Sequence, residues 1–160
     1  MAFLEWLQNT WLGVRVAEVL WAYPLLETIH TLGMAMLIGS LGLINLRVLG
    51  YRPELPLFGT RELLPLAWTG FTLNAISGSL LFVSNAVEFF SSYTFRIKMA
   101  LIVLGGINAA LLGRRVFREA AAGAALAPPL STAGTKWIAV TSLVFWFGAV
   151  IAGRLIAYTP

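Results

Sequence analysis

The chain has 160 residues, of which 59% are hydrophobic and 11% charged, with no cysteine and a formal net charge of +4. A soluble domain carries about 25% charged residues, so a water-soluble globule is excluded, and the lack of cysteine excludes disulfides and thiolate chemistry. The cations close apolar runs instead of gathering in one tract, which excludes a nucleic-acid surface and points to one transmembrane domain, residues 1–160, in a lipid bilayer.

Residues 3–22 differ from the rest. Phe3, Leu4, Leu7, Trp11 and Val14 fall near one face of a helix, with Glu5, Gln8, Asn9 and Arg15 elsewhere and Trp6, Trp11 and Trp21 interspersed. This suits an amphipathic helix at the membrane interface; a cover on one side of the bundle is the alternative. Met1 to Thr10 carry Glu5 and polar residues in place of a basic start and an apolar core, so no cleavable signal is expected.

Four stretches have no Asp, Glu, Lys or Arg: Thr28 to Leu46, Leu63 to Val87, Met99 to Gly113 and Trp137 to Gly153. A spanning helix needs about 20 mainly apolar residues, so spans are read at about 24–49, 62–89, 95–117 and 134–157, the first opening on Pro24, a favoured first residue of a helix. Short connections (Tyr51 to Pro56, Ser91 to Tyr93) and one longer one (Ala120 to Thr135) predict an all-α, integral membrane, antiparallel four-helix bundle. Gly105/Ala109, Gly106/Ala110, Gly148/Ala152 and Ala149/Gly153 are pairs of small residues four apart, suited to close helix packing or to an oligomer interface.

Arg47, Arg52, Arg61, Arg114, Arg115, Arg118 and Lys136 flank the 1–2 and 3–4 connections, against Arg15, Arg96, Lys98 and Arg154 on the other side. This asymmetry puts both connections inside, and both termini on the periplasmic side of a bacterial inner membrane.

The polar residues inside the spans form stripes. At 100° per residue, Glu27, His30, Met34, Ile38, Leu41 and Asn45 share a face of span 1, and Gly70, Asn74, Ser77, Gly78, Asn85 and Glu88 one of span 2. Lipid cannot solvate such stripes, so they turn inward. Antiparallel topology then gathers Glu27, His30, Glu88, Lys98 and Arg154 in the outer half. His30, the only histidine, is a ready ligand for haem iron, copper or zinc. Haem b held by His30, with Lys98 and Arg154 near the propionates, Glu27 orienting the imidazole and mid-span Trp146 lining a cofactor face, is the leading expectation. One histidine supplies one axial ligand; the second position is open, comes from Met34, Met99 or Lys98, or comes from another subunit. Copper held by His30, Met34 and Met99 is the alternative cofactor. A buried histidine hydrogen-bonded to Glu27 or an Asn for packing alone remains open.

Two further functions are carried: transport or proton handling by Glu27, His30, Glu88 and Lys98, and a structural or assembly subunit, as a homo-oligomer or in a larger membrane complex. Hydrolase chemistry is set aside. There is no triad, and the Gly-Ser-Leu-Gly run at Gly39 lies inside a span.

The segments Ile29 to Gly50 (IHTLGMAMLIGSLGLINLRVLG) and Phe95 to Asn108 (FRIKMALIVLGGIN), with the lead-in Trp21 to Glu27, resemble a family of small uncharacterised bacterial four-helix membrane proteins over most of the chain. Glu27, His30, Gly39, Leu46, Arg47, Gly50, Lys98 and Asn108 carry the likeness, and Asn45 stands where the pattern has an Asp. The resemblance implies the fold. A more distant likeness to copper-resistance proteins and cytochrome b bundles is one of architecture.

Overall fold

The computed structural model describes residues 1–51, 62–121 and 132–159. Arg52, Arg61 and the greater part of the connections expected between spans 1 and 2 and between spans 3 and 4 lie outside these residues. Everything regular among the described residues is helical: α1 (Ala2–Gln8), α2 (Trp11–Glu18), α3 (Ala22–Val48), α4 (Leu63–Ser84), α5 (Ala86–Ser91), α6 (Tyr93–Ala121) and α7 (Ala133–Leu155), followed by a 3-10 turn, Ile156–Tyr158.

Among the described residues, four stretches are long and apolar enough to cross a membrane: Ala22–Val48, Leu63–Ser84, Tyr93–Arg115 and Ala133–Tyr158. Their outward faces carry Leu25, Leu32, Leu43, Trp68, Ile76, Val103, Ile107, Val144, Phe147 and Ile151. The hydroxyls on those faces are closed back on their own helices. Thr28 donates to Pro24 O, Thr31 to Glu27 O, Thr69 to Pro65 O, Thr72 to Trp68 O and Ser79 to Ala75 O. A surface that is apolar, with its hydroxyls satisfied internally, is what hydrocarbon requires.

The helices pack as two pairs, α3 with α4 and α6 with α7, joined where α3 touches α7. Close approach in the first pair rests on Gly33 and Gly70. A Cβ on Gly33 would lie 2.7 Å from Asn74 Nδ2, and one on Gly70 would lie 2.6 Å from the backbone nitrogen of Leu37. In the second pair Gly105 lies under Trp146, Gly148 against Leu101 and Gly153 against Lys98. Three of the small residues read from sequence thus make the α6–α7 contact, while Gly106 has nothing near its open side.

Two apolar clusters tie the pairs together: Leu37, Ala67 and Trp146, and further along Val48, Leu112 and Ala139. At the opposite end Phe95 of α6 stacks on Phe82 of α4 and Phe89 of α5, with centroids 5.4 and 5.7 Å away.

The second span, expected to reach about residue 89, ends sooner. The helix stops at Ser84, and Asn85 leaves helical geometry at φ −139° and ψ 44° before the short α5 begins. Its side chain makes no cap hydrogen bond there; the backbone carbonyl of Asn85 opens α5 by accepting from Phe89 N at 3.0 Å. The N-terminal segment, read as one helix, is two. Thr10 accepts from Gly13 N and donates to Leu7 O, capping α2 and separating it from α1. Helix α2 packs on α4 and α3, and α1 on α5. Gly13 permits this approach, since a Cβ there would lie 3.2 Å from Val83 O. Phe3, Trp6, Trp11 and Trp21 stay on the outside.

Candidate functional site

The site is built on the α3–α4 interface. His30 is half-buried on α3 and its Nδ1 lies 3.0 Å from Oγ of Ser77 on α4, a residue only 1% exposed. The Ser77 hydroxyl has one proton, and its short bond to Leu73 O uses it. Ser77 Oγ therefore accepts from His30, the imidazole proton sits on Nδ1, and Nε2 keeps its lone pair.

The ring is also held by shape. A Cβ on Gly78 would lie 3.0 Å from His30 Cε1, so the absence of a side chain at 78 makes the seat for the imidazole. Below it, Asn74 Nδ2 donates to His30 O at 3.2 Å and to Gly70 O at 3.4 Å, tying the α3 backbone to α4 at the level of the site.

Lys98 reaches the same region from the other helix pair. It is half-buried, lies against Gly153 of α7, where a Cβ would meet its Cε and Nζ at 3.3 Å, and is close enough for its charge to act on the His30 imidazole. Tyr23, Glu27 and Glu88 interact electrostatically at the rim, with both carboxylates on exposed residues. The structure thus brings His30, Ser77, Asn74 and Lys98 together, with the acids nearby.

Other residues singled out in the sequence are placed differently. The hydrogen-bond partner of His30 is Ser77 across the interface, not Glu27 one turn away. Met34 is half-buried on the His30 face of α3, whereas Met99 is 44% exposed on the outside of the bundle, and Arg154 is exposed. Trp146 is 6% exposed and packs with Leu37, seven residues and about 10 Å along α3 from His30; its indole nitrogen has no partner. Asn45, read on the same stripe as His30, turns to a different neighbour: its Nδ2 donates to Ser142 Oγ of α7 at 3.0 Å. The role of Ser77 as partner, and of Gly33 as a point of close approach, carried no signal within one helix's pattern.

Among the described residues no group of three or more His, Cys, Asp or Glu is placed to hold a metal ion. The donor set is one oriented imidazole, a thioether on the same helix and an ammonium. An imidazole with Nδ1–H fixed and Nε2 free fits an axial ligand of haem iron. Met34 lies on the same helix face one turn on, beside His30. A nearby ammonium opposes a bare cation and favours the anionic propionates of haem.

No known protein family, characterised protein or solved structure matches the chain.

Proposed function

We propose that this chain is a multi-pass protein of a bacterial inner membrane, an antiparallel up-down bundle with both termini periplasmic and α1–α2 lying along the outer interface, and that it holds haem b through Nε2 of His30 for electron transfer or redox sensing. The observation that carries this reading is the Ser77 bond, which fixes the tautomer and leaves a ligating nitrogen in a seat formed by Gly78. Lys98 would pair a propionate. When bound, the haem would supply one-electron chemistry; the protein orients the ligand and excludes water. With one histidine in the chain, any further ligand would be a residue of another type or would come from another subunit. Cation asymmetry supports the orientation, and the exposed Phe3, Trp6 and Trp11 support an interfacial role for α1 and α2. Copper is the secondary cofactor, less favoured because of Lys98 and the outward Met99. An absorbance spectrum with metal analysis on protein purified from haem-replete cells tests the reading, alongside His30→Ala.

A second reading, proton or solute handling, is supported by the Lys98 charge acting on His30 and by the rim of Tyr23, Glu27 and Glu88. Flux in liposomes that survives neutralisation of His30 and Lys98 counts against it.

A further inference from the structure

Arg96 is exposed near the start of α6, yet its side chain is held in place. Its Nε donates to Phe90 O at 3.1 Å, one of the carbonyls that the end of α5 leaves without a helical partner. Its guanidinium carbon lies 5.2 Å from the ring centre of Tyr93 and 5.6 Å from that of Phe90, within reach of a cation–π contact. The buried Ser92 ends α5 just before α6 begins, and this corner brings the three side chains together. Among the described residues no carboxylate pairs with Arg96, and the N–H groups of its two terminal nitrogens meet no acceptor. A planar fork steadied by two rings and a carbonyl, with its outer donors open, suits two parallel bonds to one anion.

Depth and surroundings select the anion. Arg96 and Arg114 bracket the apolar part of α6, about 27 Å apart at 1.5 Å per residue. A hydrocarbon core is about 30 Å thick, so Arg96 stands at the level of the lipid phosphates. Lys98, the cation between them, turns inward to Gly153. Ala100, Val103 and Ile107 follow Arg96 down α6 within about 40° of its direction, and all three are exposed, Val103 by 57% and Ile107 by 55%. That apolar track matches an acyl chain and offers a soluble phosphate nothing.

We propose that Arg96, steadied by Phe90 and Tyr93, binds the headgroup phosphate of an anionic phospholipid whose acyl chain lies along Ala100, Val103 and Ile107. The unpaired charge of Arg96 favours a lipid of net negative charge over a zwitterionic one, whose own cation offsets the phosphate. The site is separate from the reading of His30 and needs no cofactor.

The test is native mass spectrometry of the full chain, released from micelles carrying either dioleoylphosphatidylglycerol or dioleoylphosphatidylcholine. The phosphatidylglycerol adduct is expected to form several-fold more tightly than the phosphatidylcholine one. Arg96→Gln is expected to weaken phosphatidylglycerol binding about 10-fold through loss of the charged fork. If Arg96→Gln fails to fold, Arg96→Lys serves: it keeps the charge, loses the fork, and is expected to weaken binding about threefold. Arg15→Gln is the control. It removes a cation that lies over Trp11 at 5.7 Å without a backbone bond, and is expected to stay within about twofold of the parent. Equal binding of the two lipids, no loss in Arg96→Gln or Arg96→Lys, an equal loss in Arg15→Gln, or displacement of the lipid by free glycerol phosphate would overturn the proposal.

Discussion

His30 Nδ1 and Ser77 Oγ face each other at 3.0 Å across the α3–α4 interface, and the single hydroxyl proton of Ser77 is already committed to Leu73 O. A residue from one helix thereby fixes both the tautomer and the direction of the chain's only imidazole. Ser77→Ala removes the acceptor and leaves the Nδ1 proton without its partner. The expected stability loss is about 1 kcal/mol, with haem retention falling roughly 10-fold or more, because partners that orient a metal-ligating histidine carry effects of about 10–100-fold. Thermal unfolding in detergent and the haem-to-protein ratio measure the two effects. Unchanged haem retention would separate Ser77 from the site.

Glycine substitutions probe the seat and the helix contact separately. Gly78→Ala puts a methyl 3.0 Å from His30 Cε1. It is expected to displace the ring and lower haem content, at about 1–3 kcal/mol of overpacking. Gly33→Ala meets Asn74 and Gly70 O at 2.7 and 3.0 Å and is expected to cost more, since one contact is backbone. Gly39→Ala has nothing within 4 Å and is expected to stay within about 0.5 kcal/mol of the parent. Melting temperatures rank the three. Equal losses at positions 33 and 39 would contradict the packing described here.

Lys98→Gln keeps the length of the side chain near Gly153 and removes its charge. If Lys98 pairs a propionate, haem affinity is expected to fall roughly 10-fold, since a hydrogen bond to a charged group contributes about 1.5–3 kcal/mol. Haem titration of the apoprotein measures it, and a proportional weakening with salt is not expected for a half-buried pair. Affinity that rises in Lys98→Gln favours copper or proton handling instead.

Trp146 tests the interior. Its indole N–H is buried without a partner, so Trp146→Phe is expected to be neutral or slightly stabilising. Trp146→Ala is expected to cost about 3–5 kcal/mol through the cavity left above Gly105. A large loss in Trp146→Phe, read by thermal unfolding, would show that the nitrogen has a partner after all.

The four long apolar helices were legible because Asp, Glu, Lys and Arg are missing from four windows, and lipid makes that pattern obligatory. The stripe of Gly70, Asn74, Ser77 and Gly78 was equally legible, and the structure turns all four toward α3. Which residue each one meets was not. The partner of Ser77 depends on the register between helices, which a one-helix periodicity does not contain. Gly33 and Gly70 illustrate the same limit: neither has a small residue four positions away in its own helix, and the small pair exists only across the interface. Asn45 sits about 60° around α3 from His30, enough to direct it to α7 instead of α4. The breaks at Asn9–Thr10 and Asn85 escaped because neither carries proline or glycine; the first depends on the Thr10 side-chain cap, and the second is a backbone turn without one.

The account stands most directly on the visible spectrum of the full chain purified from haem-replete cells, beside that of His30→Ala. It predicts redox-sensitive haem b bands in fixed stoichiometry with the protein, lost in His30→Ala while the helical fold is retained. A colourless preparation, or a haem content unchanged by His30→Ala, would contradict it.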